Sequence, residues 1–399
     1  METVADTGSA GSTSSSGSAS TPPGLLDEVT EWLATYVRTM SRDDIDVIAL
    51  WAVHTHLTDS LYTSPRLLLD SPMPGSGKTT VLEHLVRLTH RAIQAASLSS
   101  PALLARLLEH GPRTILIDEA DRTLNESRDI ATELFAVLNS GYKRGGSRPV
   151  LVATKDGWDA VEMSTYAPVA MAGNSPNLPD DTRSRTIPVL LMPDLDDTIA
   201  ESDWEHIEAD ALALGERIAQ WAQLNCDRVR LSEPSLPPTV KGRARERWKP
   251  LAKVADAAGG IWPATVYRLA ARDVERESAD KEDGLTREKP HMLLIRDVRR
   301  IWAQTTADYL GSQELVGSLV AVNPDDWGDR STYGKELTTQ RMGRMLVKAF
   351  GIHSARPTGQ EHRGYPRAAF EGVFGRLGMP LSAEPAELGQ PVEPDEIHA

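Results

Sequence analysis

Apolar residues recur at helical spacing over Leu25–Met40 and Asp43–Leu57, and Ser41 stands where it would cap the second helix. The pattern then shifts to short continuous apolar runs. Arg66–Asp70 (RLLLD) and Thr114–Asp118 (TILID) read as buried strands, and Ala92–Ala96 as a weaker one. Lys78–His90, Pro101–Glu109 and Glu126–Gly141 read as helices between and after them. Pro149–Thr154 (PVLVAT) and Trp158–Met163 (WDAVEM) are β-prone runs flanking Lys155-Asp156-Gly157. Asp-Gly favours the left-handed angles of a tight turn, so these runs should pair antiparallel. Further strands are expected at Pro168–Ala172 and Ile187–Met192. Strands separated by helices predict a parallel sheet covered on both faces.

Beyond the last strand, residues 204–272 are mostly helical in pattern, with a break at Pro234–Pro238. The charged stretch Glu275–Lys289 reads as a linker, and Met292–Gly378 as a compact unit of short helices ending in a Gly/Arg/Tyr loop. Of residues 1–24, 15 are Ser, Thr or Gly, and the chain from Leu381 is rich in Pro, Glu and Ala. Neither end buries enough apolar surface to offset its chain entropy, so both are expected to be disordered.

Composition narrows the class. The 399 residues suggest two or three domains. The single cysteine, Cys226, excludes a disulfide framework and a Cys-based zinc site, which fits a reducing, cytoplasmic setting. No apolar run reaches the ~18 residues of a membrane span. With 43 basic residues against 57 acidic ones, the net charge of −14 excludes a general polyanion binder, so nucleic-acid contact would need local basic surfaces.

The most informative segment is Ser71-Pro-Met-Pro-Gly-Ser-Gly-Lys-Thr-Thr80, lying between a strand and a helix. That is the context of a phosphate-binding loop. Pro74, Gly75, Ser76, Gly77, Lys78, Thr79 and Thr80 would present backbone N–H groups to phosphate oxygens at a helix N-terminus. Lys78 would neutralise the β- and γ-phosphates of ATP, and the Thr79 hydroxyl would ligate Mg²⁺. Pro72 stands where the strict motif has its first glycine. A second element, the strand ending in Asp118-Glu119, supplies Asp118 to hold Mg²⁺ and Glu119 to polarise the attacking water. Asn174, after the Val169–Gly173 strand, fits a role in orienting that water and also fits a simple turn. Arg185, with Arg183 as second choice, would lie far from its own nucleotide but within reach of a neighbour's as an arginine finger, or in a surface ion pair. His54 and His56 fall on different helix faces and suit packing beside the nucleotide pocket better than metal binding.

These motifs, in this order, resemble those of the AAA+ ATPases. The stretches Ala49–His56, Val137–Gly146, Leu178–Asp180, Trp248–Pro263 and Lys348–His353 with Gly364-Tyr365 resemble, more narrowly, an uncharacterised domain family of phage and mobile-element replication proteins. The likeness covers about residues 25–378. It implies a five-stranded parallel AAA+ P-loop NTPase core with a helical lid, and a helicase-like role beside a primase-type domain. No such domain lies within these residues, so a separate primase or polymerase is an expected partner. In this family's pattern Arg185 matches the arginine before the last strand, and Arg243 matches an arginine ahead of the Trp-x-Pro-Leu helix, implying a lid arginine on the γ-phosphate. The hairpin resembles the pre-sensor hairpin of replicative branches, which implies that Lys155 at its tip meets DNA.

Three stretches could offset the acidic total: the basic loop Lys143-Arg144-Gly145-Gly146, residues 237–253, and residues 335–367. In the last, Thr338–Phe350 reads as a helix with Arg341, Arg344 and Lys348 on one face. The following loop, with Arg356, His362 and Arg363, has the character of a β-wing, and helix plus wing is the layout of a winged helix, which suits DNA binding and also suits protein contacts at the periphery of a hexamer. The expected organisation is an N-terminal leader (1–24), helices packing on the core (25–65), the AAA+ core (66–200), a helical lid (201–274), a linker (275–290), a winged-helix-like domain (291–380) and an acidic tail (381–399). The expected activity is an ATP- and Mg²⁺-dependent DNA motor, a helicase or translocase, assembled as a homo-oligomer in a six-membered ring. A helicase loader and a nucleotide-switched origin-binding protein are the alternatives.

Overall fold

The computed structural model describes residues 24–95, 101–124, 129–155, 157–282, 289–331 and 334–381. Both chain ends expected to be disordered lie almost wholly outside them. The chain forms two compact units, Met1–Glu277 and Ser278–Ala399.

The first unit opens with α1 (Leu25–Tyr36) and α2 (Arg42–Thr55), the latter capped by Ser41, whose hydroxyl accepts from the Asp43 N–H. The first helix stops four residues short of the expected Met40. Residues beyond Tyr36 are extended instead and pair with the last strand, Met40 N–H donating to the Leu190 carbonyl and Met192 N–H to that of Arg38. Then come β1 (Arg66–Asp70), α3 (Lys78–Leu88), β2 (Ile93–Ala95), α4 (Pro101–Leu107) and β3 (Ile115–Ile117). A short helix not expected from the pattern, α5 (Ala120–Thr123), precedes α6 (Asp129–Ser140). The hairpin β4 (Ser147–Thr154) and β5 (Gly157–Ser164) has the antiparallel register Val150↔Val161, with Asp156 of its turn outside the described residues. The sheet resumes with β6 (Val169–Gly173), followed by α7 (Asp180–Arg183) and β7 (Thr186–Leu190).

Five strands form one parallel sheet in the order β2-β3-β6-β1-β7. Because successive side chains point to opposite faces, Leu67 and Leu69 join one hydrophobic core and Leu68 joins another. The helices α8 (Trp204–Leu231), α9 (Gly242–Ala258) and α10 (Trp262–Glu282) complete the unit. The segment expected as a lid shares the larger core with α1, α2 and α3. Its approach is close: a Cβ on Gly215 of α8 would lie 2.2 Å from the Arg87 carbonyl oxygen of α3. The expected linker at 275–290 is corrected by α10, which runs to Glu282. Its Glu, Arg, Ala and Lys residues are good helix formers, and Arg276 pairs back to Asp273 at 3.1 Å.

The second unit contains α11 (Pro290–Ala303), β8 (Tyr309–Gly311), α12 (Ser312–Val322), α13 (Pro324–Trp327), α14 (Thr339–Phe350), β9 (Gly364–Pro366) and α15 (Ala368–Arg376). Strands β8 and β9 pair antiparallel, and Ala355 bridges Gly364 to close the loop between α14 and β9. A core of Trp302, Trp327, Tyr365, Phe370 and aliphatic residues lies beneath. Each unit buries one aspartate against a tryptophan indole: Asp273 accepts from Trp248 at 2.6 Å, and Asp297 from Trp327 at 2.9 Å. Among the described residues no helix is long and apolar enough to cross a membrane.

Candidate functional site

Parallel strands deliver their C-terminal ends to one sheet edge, and there β3, β6 and β1 lie side by side. Ligands of open α/β sheets collect at this edge. The loop after β1 turns through Gly75 and Gly77, both left-handed at φ +80° and +76°, with no atom within 4 Å of a Cβ at either. Gly77 is the N-cap of α3, so the helix begins with no side-chain cap and no acid in its first turn. Its free N–H groups and dipole suit an anion. The Lys78 ammonium donates to Ser71 Oγ at 2.7 Å and to Asn174 Oδ1 at 2.8 Å, which ties β1, α3 and β6 together. From β3, Asp118 Oδ2 accepts from the Thr79 hydroxyl at 3.2 Å.

A cleft of about 470 Å³ is lined by Pro74 through Thr80, Asp118, Glu119, Asp121, Arg122 and Asn174. The structure therefore brings together every residue expected from the loop and the acid-bearing strand. The oxygen donors of Thr79 and Asp118 fit a hard cation that keeps most of its water, as Mg²⁺ does. Among the described residues no group of three or more His, Cys, Asp or Glu could hold a metal ion alone. A second cavity, about 420 Å³, shares Gly75, Ser76, Gly77 and Thr80 and extends over Tyr36, Val37, Met192 and Ile199.

Sequence reasoning missed three residues here. Ser71 receives Lys78. Asp121 Oδ1 accepts the Asn174 N–H at 3.2 Å, and Arg122 lies 3.0 Å from both Glu119 oxygens. The signal was present, since Asp121 and Arg122 follow Glu119 within one helical turn.

Arg243 is a correction. Implied by the resemblance to be a lid arginine on the γ-phosphate, it lies at the other end of the sheet from this chain's glycine loop, 6.0 Å from the Tyr142 ring and ion-paired to Glu246. Arg185 is beside it, 5.7 Å from the same ring, with Asp181 as its partner. Thr186 pairs with Arg66 at the start of β1, whereas the glycine loop follows Asp70 at its end. Roughly 13 Å of strand separates these edges. Arg183, the second choice, donates to the Leu178 carbonyl at 3.0 Å.

The basic loop is held rather than free. Lys143 pairs with Glu246 at 3.1 Å, and Arg144 donates to the Thr58 carbonyl at 2.9 Å. Lys155 is exposed at the hairpin tip. In the second unit Arg344, Lys348, Arg356 and Arg363 are exposed and Arg341 is half-buried. Tyr309 Oη clasps the basic loop by donating to the Ala355 and His362 carbonyls at 3.0 and 2.8 Å. His54 and His56 do not line the cleft. His54 is sealed between the Trp51 carbonyl and Ser64, and His56 reaches the Leu88 carbonyl at the far end of α3.

Residues 195–377, which begin after β7, match a family model described as "Protein of unknown function (DUF3631)". A protein of Saccharopolyspora erythraea, "Uncharacterized 28.9 kDa protein in xis 5'region", is 33% identical over 188 residues. The match takes in 46% of this chain and 66% of that relative. Two solved structures are similar at 12% identity, "The apo structure of NrS-1 C terminal region (305-718)" and "The A form apo structure of NrS-1 C terminal region-CTR(305-718)". They cover 86% and 87% of this chain and 74% and 78% of their own, with TM-scores of 0.38 and 0.41. By its sequence, then, this chain is similar to the DUF3631 family over its helical second half.

Proposed function

We propose that this protein is an AAA+ P-loop ATPase that couples ATP hydrolysis to movement on DNA during replication of a phage or mobile element. One observation carries the reading: Lys78, Thr79, Asp118, Glu119 and Asn174, from three separate strand ends, converge on one cleft. The strand order supports it, because β6 with its Asn174 lies between the loop-bearing β1 and the acid-bearing β3. In this reading the α3 amides and Lys78 bind the β- and γ-phosphates, and Glu119 accepts a proton from the attacking water that Asn174 orients. Thr79 and Asp118 would hold Mg²⁺, which would supply charge neutralisation. The cavity over Val37, Met192 and Ile199 accommodates the base. Arg185 acts on a neighbouring copy's nucleotide, which makes hydrolysis depend on assembly into a ring of six.

The second unit is read as a winged helix, with α14 presenting Arg344 and Lys348 to DNA and the loop 356–363 as its wing. A separate primase or polymerase completes the machinery. The deciding experiment is strand displacement on forked DNA with the parent protein and Glu119→Gln. ATP-dependent unwinding by the parent, lost in the variant while ATP binding persists, is the expected result. Lys78→Ala should lose binding itself. An active parent ATPase that displaces no strand would instead favour a helicase loader or an origin-binding switch.

A further inference from the structure

The turn that leaves β6 is anchored on both flanks by a carboxylate. Asn174 donates its backbone N–H to Asp121 Oδ1 at 3.2 Å, and Ser175 donates its own to Asp70 Oδ1 at 2.7 Å. The same Asp70 oxygen also accepts the Ser71 N–H, at 2.7 Å. The two acids come from opposite sides. Asp70 ends β1 on one flank of β6, and Asp121 stands in α5, which follows β3 on the other.

The backbone around these bonds is strained and crowded. Ser175 is left-handed at φ +45°, a conformation that a residue with a Cβ keeps only when its surroundings over-determine it. Gly173 is where α5 meets the strand end: a Cβ there would lie 2.9 Å from Asp121 Oδ1 and 3.1 Å from the Asp121 nitrogen, so any side chain would push Asp121 away. Glu119, also left-handed, is the N-cap of α5, two residues ahead of Asp121. The group read as the general base and the Asn174 backbone are therefore tied to one short helix. Lys78 fixes the Asn174 side chain in turn, 2.8 Å from Oδ1. An ammonium only donates, so the amide oxygen must face it, and Nδ2 is left as a donor toward the cleft.

We propose that Asp121 and Asp70 are positioning residues for Asn174, and that Asp121 sets the separation between the Glu119 carboxylate and the Asn174 amide so that both meet one water. This rests on the nucleotide reading above and gives the two acids a task that reading leaves open. Neither touches the nucleotide. Each acts by accepting backbone N–H bonds, so its oxygen matters and its charge does not.

The test uses the full chain. Asp121→Ala should bind a fluorescent ATP analogue within about twofold of the parent yet lose at least about tenfold in kcat, the penalty of a misplaced group. Asp121→Asn and Asp70→Asn, which keep an acceptor oxygen, should stay within about threefold of the parent. Adding Asp121→Ala to Asn174→Ala should cost less than about twofold more, because its effect runs through Asn174. A readout independent of ATP is residue-resolved amide exchange without nucleotide. Asp121→Ala should speed exchange at Asn174 about fivefold and Asp70→Ala at Ser175, with the rest of β6 unchanged. Losses that multiply in the double variant overturn the proposal, as does unaltered exchange in the Ala variants. So does an Asp121→Asn protein as inactive as Asp121→Ala and needing more Mg²⁺, since the carboxylate would then act on the metal. A parent protein that binds no nucleotide sinks the underlying reading and the catalytic task with it, an outcome the exchange data keep distinct from failure of the anchoring itself.

Discussion

Glu119 stands in the left-handed region at φ +48°, which a non-glycine residue adopts rarely, at the junction of β3 and α5. That backbone turn directs its carboxylate to Arg122, both oxygens at 3.0 Å. The pair is well exposed, 72% and 53%, so it contributes under about 1 kcal/mol and is easily exchanged for another partner. Arg122 thus restrains the group read as the base without anchoring the fold. Arg122→Ala should leave unfolding free energy within about 0.5 kcal/mol of the parent. It should raise unstimulated ATP turnover about two- to fivefold by freeing the carboxylate. A drop in turnover would mean instead that Arg122 touches the phosphates. The loop and its acids were legible from spacing alone, because a phosphate cradle needs its glycines, lysine and hydroxyl within a few residues. Arg243 was not. Its neighbours Glu246 and Tyr142 are set by the packing of α9 against α2 and α8, and sequence spacing does not say which end of the sheet a helix approaches.

At the level of elements, the sheet strands, α2, α14 and the hairpin lie within a few residues of their predicted bounds, since each carries a strong period or turn signal. The errors fall where charge masks propensity, as in the helical Glu275–Glu282, or where pairing overrides it, as in Val37–Met40. What locks α9 and α10 is ionic. Arg247, 2% exposed, donates to Asp273 at 3.0 and 2.6 Å, to Glu277, and to the Ser184 carbonyl next to Arg185. Asp273 also accepts from Trp248 and Arg276. Arg247→Met breaks a buried ion pair and leaves Asp273 with Trp248 and the more exposed Arg276 as partners, at a cost of about 3–5 kcal/mol. Arg243→Met, four residues earlier but 37% exposed, should cost under about 1 kcal/mol. Urea unfolding followed by tryptophan fluorescence measures both, and equal losses would show that the Arg247 network adds nothing beyond a surface pair.

Across the first unit, His54 and His84 are buried and His56 is half-buried, all in the neutral form, and together they set how the molecule responds to acid. Burial lowers His54, His56 and His84 to a pKa of about 4. His84 shows why: Trp32 Nε1 donates to its Nδ1 at 3.1 Å, so that nitrogen must stay unprotonated, while Nε2–H donates to Ser202 at 3.0 Å. Tyr36 stacks on the ring and Arg87 adds positive charge nearby. Protonation at Nδ1 would break the Trp32 bond and loosen α1 from α3. An unfolded histidine titrates near pH 6.5, so between about pH 6.5 and 4 the unfolded chain binds more protons than the folded one. The stability these groups confer is complete above that window and is lost as pH falls through it, at about 1.4 kcal/mol per pH unit for each histidine at its steepest. Asp46 acts in the opposite sense. Burial raises it to about 6, so the folded state binds its proton first and offsets one histidine between about pH 6 and 4. The net expectation is a urea midpoint that is flat from pH 8 to 7 and falls steeply from pH 6 to 5. His84→Gln, which can still meet Ser202 with its amide, should be less stable at pH 7.5 but show a shallower acid slope. A parent midpoint unchanged between pH 7 and 5 would mean that these imidazoles charge without unfolding the unit, and that the Trp32–His84 bond does not hold α1 in place.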